Sequence, residues 1–234
     1  MIKLSVVLPT YNEAENLKIL IPQIEGEFKS VSLEIIVADD NSQDGTKELL
    51  GTLNNNFKNI KLISRPKLMG IGSAIREGYN AASGEYILSS DADLSFAVED
   101  MKRLYDKLNE GYDLVIAYRH GKGGDYERKS LFVKIKYVFS WFGNFVVRNV
   151  SGLGVNDVSA NFRIIRHDAW HKLKTTENTN SLLFEMIVKA KRNSLKIAEI
   201  PITFHQRKFG KSKLNMWKEA PKFLIKFIKY TFFD

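Results

Sequence analysis

The 234-residue chain contains no cysteine, which excludes disulfides and thiolate metal sites and fits a reducing compartment. It lacks any run of about 18 uninterrupted apolar residues, so no membrane-spanning helix is expected. The opening "MIKLSVVLPTYNE" holds a short apolar run cut off at Pro9. That is too brief for a secretory signal and reads better as a strand. No GxGxxG follows that strand, and no GxxxxGK(S/T) exists anywhere. The dinucleotide-binding and P-loop readings therefore lose their main supports. Internal repeats and low-complexity linkers are also missing.

What is present is enough apolar material, 44% of residues, to bury a full core, with one domain over 1–234 as the default. The net charge is +8, from 35 basic and 27 acidic residues. Such a balance favours polyanionic partners: phosphates, nucleic acid or an anionic membrane. Much of the basic charge follows residue 119, in "KSLFVKIKYVF" and "WKEAPKFLIKFIKYTFF", where lysines interleave with aromatic and aliphatic residues.

Hydrophobic periodicity gives strands at 2–9, 33–40 and 59–64, then at "EYILSSD" and "YDLVIAY", with helical patterns between them. In the first helix Asn12 is a possible N-cap, and Pro22 argues for a kink or break. "SLFVKIKYVFSWFGNFVVRNV" is a long apolar-aromatic helix, and "ANFRIIR" and "LKIAEIPITFH" are further strands. Strands alternating with helices through residue 118 imply an α/β fold with a mostly parallel sheet and helices on both faces. Ligands then gather at the carboxyl ends of the strands. Those ends carry Pro9–Glu13, Asp39–Ser42, Arg65–Lys67 and Asp91–Asp93, a concentration of polar and acidic side chains.

Asp91 and Asp93, in "LSSDADLS", are one residue apart at a strand end. In extended backbone, residues i and i+2 point to one side, so both carboxylates could reach a single hard cation, Mg²⁺ or Mn²⁺. Such tripeptides are common, and alone this one could be a solvated turn. The histidines at 120, 167, 171 and 205 form no metal cluster by spacing and are expected to be ordinary surface residues.

In that setting the chain resembles the family 2 glycosyltransferases, through "VVLPTYNEAENL", "EIIVADDNSQDGT", "GIGSAIREGY" and "SSDADLS", in order. The later segments "SGLGVNDVSANFRIIR", "LLFEMIVKAKR" and "EIPITFHQRKFGKSKL" are similar to its polyprenyl-phosphate hexosyltransferases, which include the dolichol-phosphate mannose synthases. The resemblance implies a glycosyltransferase A-type fold, with 1–118 binding the nucleotide sugar, 119–213 the acceptor, and 214–234 forming an amphipathic C-terminal segment. It implies that Pro9, Tyr11 and Glu13 line the nucleoside pocket and that Asp39 and Asp40 meet base and ribose. Asp91 and Asp93 would hold the metal, Ser95 standing where related synthases often carry glutamine. Arg119, Lys136 and Ser140 would face the acceptor phosphate. There Lys136 replaces an expected arginine, and Trp141 a residue that is usually basic. Arg207, Ser212 and Lys213 would close over the pyrophosphate, with Gly210 supplying flexibility.

The implied reaction is inverting transfer of a hexose, mannose from GDP-mannose favoured, to a polyprenyl phosphate. A phosphate acceptor is already anionic and needs no general base, so positioning and charge neutralisation become the main tasks. The expected setting is peripheral, on the cytoplasmic face of a membrane. The basic-aromatic helices would lie at its interface, alone or with a small membrane-protein partner or a further segment. The alternatives are a UDP-glucose donor, a soluble saccharide acceptor, or a nucleic-acid-binding module; the last is disfavoured by the acidic corner and the lack of a recognisable motif.

Overall fold

The computed structural model describes residues 2–127, 131–210 and 216–233, and within these leaves aside the side chains of 131–137, 139, 140, 142 and 216–220. Strands β1 (Leu4–Thr10), β2 (Leu33–Asp39), β3 (Ile60–Ser64) and β4 (Tyr86–Ser89) alternate with helices α1 (Ala14–Glu27), α2 (Thr46–Phe57) and α3 (Ile71–Asn80). Helix α4 (Val98–Asn109) leads to β5 (Leu114–Tyr118). A two-residue strand β6 (Asp125–Tyr126), helix α5 (Leu131–Ser151), β7 (Arg163–Arg166), α6 (His167–Leu173) and α7 (Ser181–Arg192) follow. The chain continues through β8 (Ile197–Pro201), β9 (Thr203–Phe204), α8 (Met216–Ile228) and a π-helical segment, Lys229–Phe233.

The main sheet runs in the order β3-β2-β1-β4-β7-β5-β8. Every pairing is parallel except those of β7, which is antiparallel to both β4 and β5. Alternation along β1 sends Leu4, Val6 and Leu8 to one face, against Leu17, Ile21 and Ile24 of α1 and Met101 and Leu104 of α4. Val7 points to the other face, towards Ile75 and Tyr79 of α3 and the α7 residues Leu182, Phe184 and Ile187. Helices thus cover both faces, which is why the central strands are apolar throughout rather than alternating. Helix α3 approaches so closely that a Cβ on Gly78 would lie 2.3 Å from Val7 Cγ1.

Two local expectations fail. Helix α1 continues through Pro22 to Glu27 without a break. Nor does Asn12 cap it: Glu13 holds the N-cap position. Asn12, at φ 53°, instead accepts a bond from the Gln43 amide through Oδ1 at 2.8 Å, tying the β1 loop to the β2 loop.

Proline has a constructive place in β1. Pairing of β1 with β4 ends at Val7–Ser89, whereas its pairing with β2 runs on to Thr10–Asp39. Pro9 has no N–H to offer a neighbour, so β1 and β4 part here, at the carboxyl edge.

Candidate functional site

The candidate site is built from loops at the carboxyl edge of the sheet. On the β1–β2 side, Asp39 accepts from the Ser42 amide at 3.0 Å and from its hydroxyl, and Ser42 Oγ accepts from the Asn12 amide at 2.7 Å. Asp40 is buried and pairs with Arg65 Nη1, while Arg65 Nε lies 2.7 Å from Glu77. Burial pushes the Asp40 carboxyl above its ordinary value, and the Arg65 charge offsets only part of this. Pro9 and Glu13 are buried and Tyr11 is half-buried in the same loop region.

At the end of β4, the Asp93–Leu94–Ser95 turn holds Leu94 at φ 61°, a left-handed conformation uncommon for such a residue. The turn lets Asp93 Oδ1 accept from the Ser95 amide at 3.1 Å. Asp93 Oδ2 receives Arg207 Nη2 at 2.6 Å, and Arg207 Nη1 lies 3.5 Å from Glu13 Oε1. Asp91 Oδ1 accepts from Asn161 Nδ2 at 3.0 Å. Burial and the neighbouring Asp93 raise the Asp91 carboxyl to about 7. Two carboxylates are therefore held together at an energetic cost, which the Asn161 hydrogen bond and the Arg119 and Arg207 charges offset only in part.

Arg119, at the end of β5, donates to Asp157 through Nε at 2.7 Å and Nη2 at 3.1 Å, and to Ser159 Oγ at 2.7 Å. Asp157 is fully buried, yet Arg119 and further hydrogen bonds hold its carboxyl well below the usual range. The Arg119 guanidinium also sits 5.3 Å from the Phe204 ring, which stacks on Tyr126 at 4.7 Å. The small β6–β9 ribbon thereby braces the arginine.

Residues 5–174 match the sequence model of glycosyl transferase family 2. The chain belongs to that family. It is 32% identical over 215 residues to a dolichol-phosphate mannosyltransferase of Pyrococcus furiosus, covering 91% of this chain and 59% of the relative. The chain thus spans somewhat over half of that relative's length. A polyprenol monophosphomannose synthase of Mycolicibacterium smegmatis is 30% identical, with 90% of this chain and 80% of the relative covered. In fold it is similar to glucosyl-3-phosphoglycerate synthase of Mycobacterium tuberculosis, solved with Mn²⁺, UDP and glucosyl-3-phosphoglycerate. The TM-score is 0.74 at 17% identity, over 98% of this chain and 80% of that one.

In this family 2 chain the structure brings Glu13, Asp91, Asp93 and Arg207 into one connected group, with Asp39 and Asp40 on the neighbouring loops. Lys213 and Ser212 lie outside the described residues, and so do the side chains of Lys136 and Ser140. Ser95 is buried, its amide on Asp93 and its carbonyl accepting from the His205 amide at 2.9 Å. His120 is a correction: it is 4% exposed, and burial lowers its pKa to about 4. Motif reading assigned no role to Asp157, Asn161 or Arg65. All three lie in or next to quoted segments, and a charged or amide side chain beside an apolar strand was the available signal.

Proposed function

We propose that this family 2 chain transfers a hexose, mannose from GDP-mannose favoured, to a polyprenyl phosphate with inversion at the sugar carbon. The observation that carries the reading is the Asp91–Asp93 pair, set between the nucleoside-side loops and Arg119. One edge thus offers both an oxygen site for a divalent ion and a cation for an incoming phosphate. The names of the relatives from Pyrococcus and Mycolicibacterium support the same substrate classes.

Hard carboxylate oxygens fit Mg²⁺ or Mn²⁺, and a cation there would offset the burial and the neighbouring Asp93 charge that raise the Asp91 carboxyl. Asp91 and Asp93 would hold that ion, which neutralises charge on a departing diphosphate. Asp39 and Asp40 accept bonds from base or ribose, with Pro9, Tyr11 and Glu13 lining the pocket. Arg207, with Lys213, reaches the diphosphate. Arg119, with Lys136 and Ser140, orients the acceptor phosphate, an anion that attacks without a general base. The division of labour is then 1–118 for the donor and 119–213 for the acceptor.

The membrane reading rests on two helix faces. In α8 and the turn after it, Leu224, Ile225, Ile228, Phe232 and Phe233 are exposed beside Lys222 and Lys229. In α5, Val138, Trp141 and Phe145 are exposed at helical spacing. Such faces suit an anionic bilayer surface, here the cytoplasmic one, with a small membrane protein as a further partner. Among the described residues, no helix is long and apolar enough to cross a membrane.

The test is transfer of label from GDP-mannose to a short polyprenyl phosphate with Mg²⁺ or Mn²⁺, beside Asp91→Asn and Asp93→Asn. Organic-extractable label that disappears with chelator and in both variants is expected. Label from UDP-glucose alone would move the donor. Label on soluble saccharides alone would overturn the acceptor.

A further inference from the structure

The two oxygens of Asp93 differ in their partners. Oδ1 is tied to the main chain through the Ser95 amide within its own turn. Oδ2 points outward, and its partner is Arg207 Nη2 at 2.6 Å. A cation shared by Asp91 and Asp93 draws on Oδ2, so it and the guanidinium claim the same atom. The other arm of the same guanidinium, Nη1, lies 3.5 Å from Glu13 Oε1, so Arg207 bridges the two carboxylates. Glu13 is itself fixed by Asn16 Nδ2 at 2.6 Å.

The backbone around Arg207 is anchored. The His205 amide donates to Ser95 O at 2.9 Å, the Gln206 amide to Glu127 Oε2 at 3.1 Å, and Phe209 O accepts from Asn16 Nδ2 at 3.4 Å. A long side chain on a fixed backbone can change partner by rotamer alone. One turn holds both ends of the exchange, since Ser95 fixes Asp93 through its N–H and the 205 backbone through its carbonyl.

We infer that Arg207 is a positioning residue exchanged between Asp93 and the donor diphosphate, so that metal and nucleotide bind as a unit. This rests on the proposed reading of Asp91 and Asp93 as metal ligands. The metal alone must displace a charge-assisted bond from Asp93. A metal–diphosphate pair takes the aspartate with its cation while giving the guanidinium a phosphate oxygen in return. Arg207 therefore opposes the metal alone and favours the metal–nucleotide pair, and this sets the order of loading.

The two signs make the test. Mn²⁺ affinity is read by electron paramagnetic resonance on the full chain, first with Mn²⁺ alone and then with saturating GDP or UDP in parallel. Arg207→Gln is expected to bind Mn²⁺ alone roughly tenfold more tightly and Mn²⁺ with nucleotide roughly tenfold more weakly, the scale of one bond to a charged group. Arg207→Lys, which keeps the charge without the two-armed reach, is expected between these and wild type. Lys208→Gln removes an equal, exposed charge one residue away and is expected to shift either affinity by less than about twofold.

If Arg207→Gln tightened both measurements, or Lys208→Gln matched it, a general field effect would replace the exchange. Unchanged affinities in Arg207→Gln, with binding lost in Asp93→Asn, would overturn the exchange and leave the metal reading standing. Unchanged Mn²⁺ binding in both Asp91→Asn and Asp93→Asn would overturn the metal reading, and the exchange with it.

Discussion

Replacing Asp157 by asparagine tests whether the position of Arg119 depends on one buried ion pair. The carboxylate is fully buried and accepts from Arg119 Nε and Nη2, from the Ser159 amide at 3.0 Å and from the Ser159 hydroxyl at 2.9 Å. Asparagine keeps the shape but turns one oxygen into a donor, so an N–H must face either the guanidinium or Ser159. The Arg119 charge, with a side chain 12% exposed, is left without its counter-ion. Breaking a buried pair in this way costs about 3–5 kcal/mol. At roughly 2–4 °C per kcal/mol for a chain of this size, Tm falls by about 6–20 °C.

The pH dependence has a definite sign. The folded-state pKa of Asp157 is depressed, so its contribution is complete above the unfolded value and is lost as pH falls through the folded one. The gap between wild type and Asp157→Asn should hold from pH 8 to about 4 and close below that. Urea denaturation of wild type, Asp157→Asn, Arg119→Gln and the double variant measures both the cost and the coupling. A single-variant loss under about 0.5 kcal/mol, or strictly additive effects, would refute the account of Arg119 as a clamped cation.

His120 gives a second acid-sensitive element. Its folded-state pKa, about 4, lies below the unfolded value of about 6.5. Stability is therefore lost as pH falls from about 6.5 towards 4, and His120→Gln should flatten that slope by up to about 3 kcal/mol in denaturation series. Helix α8 separates into two faces. Phe227, buried 5.8 Å from the Phe184 ring, should cost about 3 kcal/mol as alanine. Phe232→Ser, on the exposed face, should cost under about 0.5 kcal/mol and lower co-sedimentation with anionic vesicles severalfold. Equal vesicle binding by wild type and Phe232→Ser would remove that face from the membrane reading.

Residues 2–118 were legible because a buried parallel strand announces itself twice: by an unbroken apolar run, and by the polar residues that must end it. Asp39, Asp40, Asp91 and Asp93 were all found at such ends, and the structure puts all four on one edge. Proline was misleading for a physical reason. Pro22 lies past the middle of α1, eight residues after the helix begins at Ala14, and the helix absorbs it because burial of Leu17, Leu20, Ile21 and Ile24 outweighs one missing hydrogen bond. The lysines interleaved with apolar residues in α8 do not all share one environment. Lys226 turns inward to Glu177 at 2.9 Å, beside the buried Phe227 and Tyr230, so one face is core and only the other is outward.

Asp157 and Asn161 were missed for one topological reason. A search for ligands at the carboxyl ends of strands assumes that all strands point the same way. β7 does not, being antiparallel to β4 and β5, so its amino end arrives at the functional edge. Asn161 precedes that strand by two residues and reaches Asp91; Asp157 lies four residues earlier and reaches Arg119. Within five residues one loop therefore touches the Asp91 carboxylate and the Arg119 cation. Strand direction is not written in the composition of "ANFRIIR", because both faces of β7 are buried whichever way it runs. Only the pairing of β7 with β4 and β5 fixes its direction, and that pairing joins residues about 50 to 80 positions apart along the chain. The same reversal that hid Asp157 and Asn161 is what lets one segment hold Asp91 and Arg119 in register.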